Sequence, residues 1–379
     1  RFIMAEINSS NFKKKHGDLA PDLVGVTELT SPYFFVPPSG TTAERPENCE
    51  PGTLRFNTDI GSLEVYRGDT IGWEQIQRRE GQYLGGGTGS NTGTGTRGIY
   101  GGGNTPSYID TIEFITVSTM GSPMDFGNLT IASTGRSGTA SRTRGLFTGV
   151  GNAPSGQSNA IEFITISSTG NGTDFGDATI GQGYRGGCSN NIRSVTAGQN
   201  TNSNVIDYVT IAVTGNAVDF GDLGYTCSTP ISFASSTRGI FAGGNSAPNI
   251  DFITLMTTGN STDFGTMSIG TVASDGCSNA TRGIMKLRGG SYVNTIDFLT
   301  IATLGNSIDF GDATNNAGGS APMSSPTRAV FAGGYGSPSF RNDIMKVEIA
   351  TTGNAVDFGG DVSYSADHLA GFSNGHGGL

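Results

Sequence analysis

The chain has 379 residues, of which 61 are Gly and only 14% are charged, and its net charge is −10. High Gly without a Gly-X-Y period, alongside abundant Thr, Ser, Ile and Phe, excludes collagen and disorder and points to short strands joined by tight turns. The acidic balance, with Lys13-Lys14-Lys15 as its one basic triplet, argues against nucleic-acid binding, because phosphate backbones reward clustered Lys and Arg.

Residues 1–50 read as an extended N-terminal arm. The segment is polar apart from Tyr33, Phe34, Phe35 and Val36, which prolines bound on both sides (Pro32, Pro37, Pro38). Proline cannot donate to a strand ladder, so the patch packs against a partner rather than building a sheet of its own. No apolar run has the form of a secretory leader or approaches the ~18 residues of a membrane helix, so no membrane insertion is expected.

Residues 51–81 read as a small β-meander. Leu54–Asn57, Ser62–Arg67 and Gly72–Ile76 are strand-like and separated by Thr58-Asp59-Ile60-Gly61 and Gly68-Asp69-Thr70. Three short strands bury little apolar surface, so an inter-domain contact or a homo-oligomer is expected. Residues 82–95, with GGGTGSNTGTG at 85–95, read as a Gly/Thr-rich linker.

From Thr96 onward the chain repeats. Asp-Phe-Gly begins at Asp125, Asp174, Asp219, Asp263, Asp309 and Asp357, in steps of 44–49 residues. An Arg that opens each unit, at Arg97, Arg144, Arg193, Arg238, Arg282 and Arg328, keeps the same 44–49-residue beat. Each unit holds four strand-like pieces: one after the Arg ending in small residues, an apolar one such as Ile250–Leu255, one around Asp-Phe-Gly, and a Ser/Gly/Ala-rich one. Four strands in a period of this length is one propeller blade. The last Ser/Gly/Ala-rich piece, roughly Leu369–Asn374, has no Arg strand after it, and the first unit lacks such a piece before Arg97. The expected fold is therefore all-β, a six-bladed propeller over 96–379 closed by the C-terminal strand, which leaves no exposed edge.

Within the repeat, Phe of Asp-Phe-Gly is expected between blades, with Asp and Gly shaping a turn. The repeat Arg is expected to pair with a carbonyl or carboxylate of its own blade, an anion-binding ring being the alternative, and the period aligns His376 with the Arg position. Cys188 and Cys277 fall five residues before the repeat Arg and fit small buried apolar residues, with a disulfide or metal site as the alternative. His16, His368 and His376 are the only histidines and read as solvated or turn residues. They form no metal spacing, no nucleophile elbow is present, and no carboxylate pair stands out, so no enzyme, cofactor or metal is expected.

The loops after the Arg strand vary most between units, at 104–108, 152–159, 199–204, 245–249, 290–294 and 335–342. They should emerge on one face, where binding is expected. Their candidate ligand-contacting residues are Asn104, Tyr108, Asn152, Asn204, Asn245, Asn249, Tyr292, Tyr335 and Arg341, whose side chains suit hydrogen bonding and stacking to sugars or protein.

The repeat TRGIFAGG…NIDFIT…TTGN…DFG resembles the degenerate kelch-like repeats in structural proteins of tailed bacteriophages, notably cyanophages. SPYFFVPPSGTTAERPENCEPGTLRFNTDIGSLEVYRGDTIGWEQI is similar to segments of phage fibre and appendage proteins. Phe stands where cellular kelch repeats carry Tyr and Trp, and the sialidase and galactose-oxidase residue sets are missing. The resemblance implies a virion structural protein whose N-terminal part joins other virion proteins and whose kelch-like propeller meets the host surface, a glycan or a protein. A capsid, neck or tail decoration protein is the alternative, and a carbohydrate-active enzyme a third reading.

Overall fold

The structure, a computed structural model, describes residues 37–46, 49–59, 62–69, 72–75, 96–181, 183–272, 275–289 and 293–379. The arm before Pro37, the 85–95 linker and Tyr292 lie outside the described residues. Contacts divide the chain into two units, Arg1–Gln82 and Tyr83–Leu379.

In the first unit Ser39–Gly40 pairs parallel to Leu54–Asn57, which pairs antiparallel with Ser62–Tyr66 and through it with Trp73–Gln75. The sequence showed the last three strands; the two-residue first one is too short to carry a period. Strand alternation here runs opposite to the usual rule. Arg55, Asn57 and Glu64 are buried, while Leu54 and Leu63 on the other face are exposed. A buried carboxylate must be paired. Glu64 accepts from Arg45 Nη2 at 2.6 Å and from Asn57 Nδ2 at 3.2 Å, and Arg55 lies 3.5 Å away. The Arg45 hydrogen bond holds the Glu64 carboxyl below its ordinary range.

The second unit is all-β and propeller-like. Each repeat forms a four-stranded antiparallel sheet in chain order, as in Ile231–Ala234, Arg238–Ala242, Asn249–Thr254 and Thr262–Thr266. The sheet containing Arg97 takes its first strand from far along the chain: Ala370–Ser373 pairs antiparallel with Arg97–Gly101, Ala370 opposite Gly101. The core lies between sheets. One cluster joins Ile99, Ile112 and Phe126 of one sheet to Phe147, Ile164 and Ile166 of the next.

Asp-Phe-Gly encodes a β-bulge. Ile250 pairs with Gly265 and Asp251 with Asp263, so Phe264 is the extra residue and turns into the core while Asp263 stays exposed. Gly265 has φ 151°, and a Cβ there would come within 2.4 Å of the Gly305 carbonyl oxygen in the next sheet. That oxygen belongs to the Thr/Leu-Gly-Asn turn, whose Gly305 N–H donates to Phe264 O (2.9 Å) and whose Asn306 Oδ1 accepts from Thr266 N (3.0 Å). The two motifs are the halves of one inter-sheet clamp.

The repeat Arg is a second clamp, and here one expectation is corrected. Its carbonyl partner lies in the next sheet rather than its own: Arg97 Nη1 donates to Ile166 O (2.7 Å), Arg144 to Ile211 O (2.8 Å) and Arg193 to Leu255 O (3.1 Å). Among the described ion pairs, Arg328 is the one repeat Arg that also meets a carboxylate of its own sheet, Glu348 at 2.9 Å, as expected. The guanidinium stacks on an aromatic ring of its own sheet, Arg238 at 4.6 Å from the Phe252 centroid. A third clamp uses the acidic residue of the apolar strand. Buried Glu162 accepts from Thr130 N (2.7 Å), Asp207 from Thr179 N (2.9 Å) and Asp251 from Gly224 N (2.8 Å), each donor lying in the preceding sheet.

Three loop boundaries also differ. Residues 335–342 are not a loop, because Arg328–Gly336 and Ser339–Glu348 extend into a long hairpin with Tyr335 opposite Phe340 and Gly334 opposite Arg341. Asn204 lies within Ser203–Thr210, and Asn249 opens Asn249–Thr254.

Candidate binding face and axial channel

The Ser/Gly/Ala-rich strands Ser137–Ala140, Gly186–Ser189, Ile231–Ala234, Asp275–Ser278, Ala321–Ser324 and Ala370–Ser373 are edge strands of their sheets and together line a cavity of about 130 Å³. Small side chains let them approach closely. At one end their serines tie neighbours together: Ser189 Oγ donates to Ala140 O (2.8 Å), Ser278 Oγ to Ala234 O (2.7 Å) and Ser324 Oγ to Ser278 O (2.8 Å).

The segment after Ser373 lies across that end. His376 Nδ1 accepts from Gly378 N (3.1 Å), which leaves the proton on Nε2, and Nε2 donates to Ala140 O at 2.9 Å. Gly377 N donates to Ser278 O (2.8 Å) on the far side. A Cβ on Gly377 would sit 2.1 Å from Asn279 O and one on Gly378 1.9 Å from Ser189 O, so only glycine fits at both. Burial holds the His376 imidazole neutral, its pKa pushed down to about 4. His376 is thus a floor residue, neither solvated nor in an Arg slot.

At the other end, the residue two before a lining strand takes left-handed backbone: Gly135, Tyr184, Thr229, Gly319 and His368 have φ between 48° and 70°. The chain turns there from the Asp-Phe-Gly strand into the channel wall. Tyr184 and His368 carry side chains at this mouth and meet edge to face, 5.2 Å between centroids.

Several loop residues named from the sequence buttress this mouth. Asn152 Nδ2 donates to Tyr184 Oη (2.8 Å), Asn104 N donates to Asp367 O (3.0 Å) beside His368, and Tyr335 N donates to Gly318 O (2.9 Å). Tyr108 is bridged to Asn104 and exposed, and Asn245 is exposed with φ 53°, a conformation Asn tolerates. Asn204, Asn249 and Arg341 sit in strands, as above.

The wall holds residues the loop pattern could not flag. Asp275 is buried at the head of its strand, and its Oδ2 accepts from Ser320 N at 3.0 Å. Burial pushes the Asp275 carboxyl up to about 6, against the pull of Lys286 and Ser320. Lys286, paired opposite Asp275 across the ladder, donates from Nζ to Ser320 Oγ (2.9 Å) and Ala317 O, and burial pulls its pKa down to about 8. The available signal was a break in pattern: Ala242 and Ala332 stand where Lys286 does, and Ala321 and Ala370 where Asp275 does.

Among the described residues no three His, Cys, Asp or Glu side chains gather in a way that could hold a metal ion, and no helix is long and apolar enough to cross a membrane. No protein-family model matches the chain, and no curated protein matches it.

Proposed function

We propose that the chain is a structural protein of a phage virion, associated with an appendage or fibre, whose kelch-like repeats form a six-bladed propeller closed by the C-terminal strand. Its loop-bearing end contacts the host surface, polysaccharide included. The observation that carries this reading is the division of labour within each repeat. Arg, Asp-Phe-Gly and the buried acid go into inter-sheet clamps, whereas the segments that begin at Asn104, Asn152 and Tyr335 differ in length and sequence from unit to unit and lie beside one mouth. A scaffold with variable loops at one end is the usual design of a binding module. The N-terminal unit, which leaves Leu54 and Leu63 exposed on one sheet face, is assigned to contact with other virion proteins or to homo-oligomer formation. We assign no catalytic step, cofactor or nucleic-acid contact.

The test is competition between the purified chain and virions for candidate host cells. Saturable binding that blocks adsorption, and that falls when Asn152, Asn245 and Tyr335 are replaced by Ala, supports host contact. A folded chain that binds none of the cells its virion infects favours the decoration role instead.

A further inference from the structure

The buried acids of the apolar strands are not all compensated in the same way. Glu113 accepts from Tyr100 Oη (2.6 Å), Glu162 from Arg136 Nη2 (2.6 Å) and Asp207 from Arg185 Nη2 (2.7 Å), each donor belonging to the acid's own sheet or to the turn that enters it. Arg136 does more, because its Nε also donates to Ser133 Oγ at 2.7 Å. One guanidinium thus joins a hydroxyl in the connection between two sheets to a carboxylate in the second.

The unit of Asp297 fills those positions differently. Counted back from the head of the lining strand, Ser137 in one unit and Asp275 in the other, Thr271 stands for Ser133 and Ser274 for Arg136. Ser274 itself lies outside the described residues. Asp297 is fully buried and Thr271 is 1% exposed. Asp297 Oδ2 accepts from Ser268 N (3.2 Å) and Ser307 Oγ, but Oδ1 has no partner, and neither has Thr271 Oγ1. These are the counterparts of the two groups that Arg136 joins.

Among the described residues nothing takes the guanidinium's place. Met285, opposite Asp297, has no hydrogen to donate, whereas Thr196 at that position gives one to Asp207 at 2.6 Å. Lys286 lies on the other face of its strand, with Nζ held by Ser320 Oγ (2.9 Å) and Ala317 O. Unpartnered atoms also occur on Ser137, Arg136 and Arg185, but the first is neutral and the two guanidinium groups already meet carboxylates. Asp297 is a carboxylate in the interior with no opposite charge bonded to it, a state that calls for a cation.

The donors choose the ion. A carboxylate and a hydroxyl are hard oxygen ligands, unsuited to metals that prefer sulfur or imidazole. Calcium takes about 6–8 oxygens, and magnesium keeps its waters unless phosphates join it. One carboxylate balances one positive charge and needs no cluster of acids. A water would meet the hydrogen bonds and leave the charge.

We propose that the interface between the sheets of Asn249–Thr254 and Thr295–Thr300 holds a monovalent alkali cation, bound by Asp297 Oδ1 and Thr271 Oγ1. The ion does at this interface what the Arg136 guanidinium does between Ser133 and Glu162. The site belongs to the fold and stands apart from the host-contact reading.

The experiment compares urea unfolding of the full chain in choline chloride with unfolding in lithium, sodium, potassium and rubidium chloride at equal concentration. At least one alkali salt should lower the unfolding constant by about tenfold relative to choline, as a ligand present at about ten times its dissociation constant does. Asp297→Asn should abolish the difference. Ser274→Arg, which restores the pattern of Arg136 and Arg185, should abolish it too and make the chain in choline as stable as wild type in the preferred salt. Glu162→Gln, beside its arginine, should keep the tenfold difference. Equal stability in all five salts, or a difference that survives Asp297→Asn or Ser274→Arg, overturns the proposal. Should these variants fail to fold, wild-type crystals grown in the preferred salt decide. An ion with oxygen ligands beside Asp297 supports the site, and a water there overturns it.

Discussion

Arg328 donates from Nη1 to Val117 O at 3.2 Å and to Ser118 O at 2.7 Å, across sequence separations of 211 and 210 residues. The relationship is the one Arg97 has with Ile166, carried from the last repeat Arg back to the first repeat. A clamp that joins each unit to its successor can end this way only when the last unit lies beside the first. Because the bond crosses between sheets, its loss loosens an interface and leaves each sheet's own ladder intact.

Replacing Arg238 tests the clamp chemistry. Its Nη1 forks to Ile301 O (3.1 Å) and Ala302 O (3.0 Å) while the guanidinium covers Phe252. Lysine cannot reproduce both contacts. Arg238→Lys is expected to cost about 1–2 kcal/mol in denaturant unfolding. Arg328→Lys should cost less, because Lys346 stands where the other units carry the aromatic ring. Equal losses would mean that the Phe252 stack contributes no more than the pair Arg328 makes with Glu348 at 2.9 Å.

Gly265→Ala tests the Asp-Phe-Gly clamp. The added methyl meets the Gly305 carbonyl at 2.4 Å, backbone against backbone, so neither sheet can yield locally. The expected loss is about 2–3 kcal/mol. Gly156→Ala is the control, since φ is 94° there and nothing lies within 4 Å, which leaves only the strain of about 1 kcal/mol. Urea midpoints that do not separate the two variants contradict the clamp.

Much of this was legible in the sequence, and the limit is physical. The repeat beat, the buried Phe and the missing first strand at Arg97 all follow from lining the copies up. Partners across copies do not. Arg97 and Ile166 are 69 residues apart, and no period says whether a carbonyl one repeat on lies within reach. Counting alone places His376 in an Arg slot, but the chain leaves the sheet after Ser373 and lies across the channel. Tyr335 and Arg341 looked like loop residues because Gly and Pro interrupt the segment, yet the hairpin keeps its ladder through Gly334 and turns at Ser337-Pro338. Tyr184 carries no repeat signal, because its position holds Gly135 and Gly319 in other units.

Acid should free the floor. Folding depresses the His376 pKa from its ordinary 6.5 to about 4, so the unfolded or released tail binds the proton first. The contribution of the neutral imidazole is present above about pH 6.5 and is lost as pH falls toward 4. Protection factors at 375–379 should therefore fall by about twentyfold between pH 7 and pH 5, and His376→Ala should show low protection at both. A tail equally protected at both values contradicts the assigned tautomer.

Asp275 acts in the opposite direction. Its folded pKa is raised from 3.8 to about 6 by burial, so the folded state holds the proton longer and stability falls as pH rises from about 4 to about 6. The full effect is about 3 kcal/mol. Asp275→Asn removes it, and the unfolding free energy of the variant should gain on wild type by up to that amount between pH 4.5 and pH 7. A constant difference across that window would place the carboxyl in water.

Thiol labelling separates wall from surface. Burial pushes the Cys277 and Cys227 thiols up to about 12 and raises that of Cys188 further, while Cys49 is half-buried in the first unit. Maleimide should add once to the native chain, at Cys49, and to all four cysteines after denaturation. Rapid native labelling of Cys188 or Cys277 would mean that neighbouring sheets part.

The most direct test of the closed propeller is amide exchange in Ala370–Ser373, the strand that pairs with Arg97–Gly101 and completes the first sheet. A sealed ring predicts protection there as strong as in Arg238–Ala242, in the middle of the repeat array, with both lost together in one cooperative transition. Exchange within seconds in Ala370–Ser373 while Arg238–Ala242 stays protected would leave the array open at that seam.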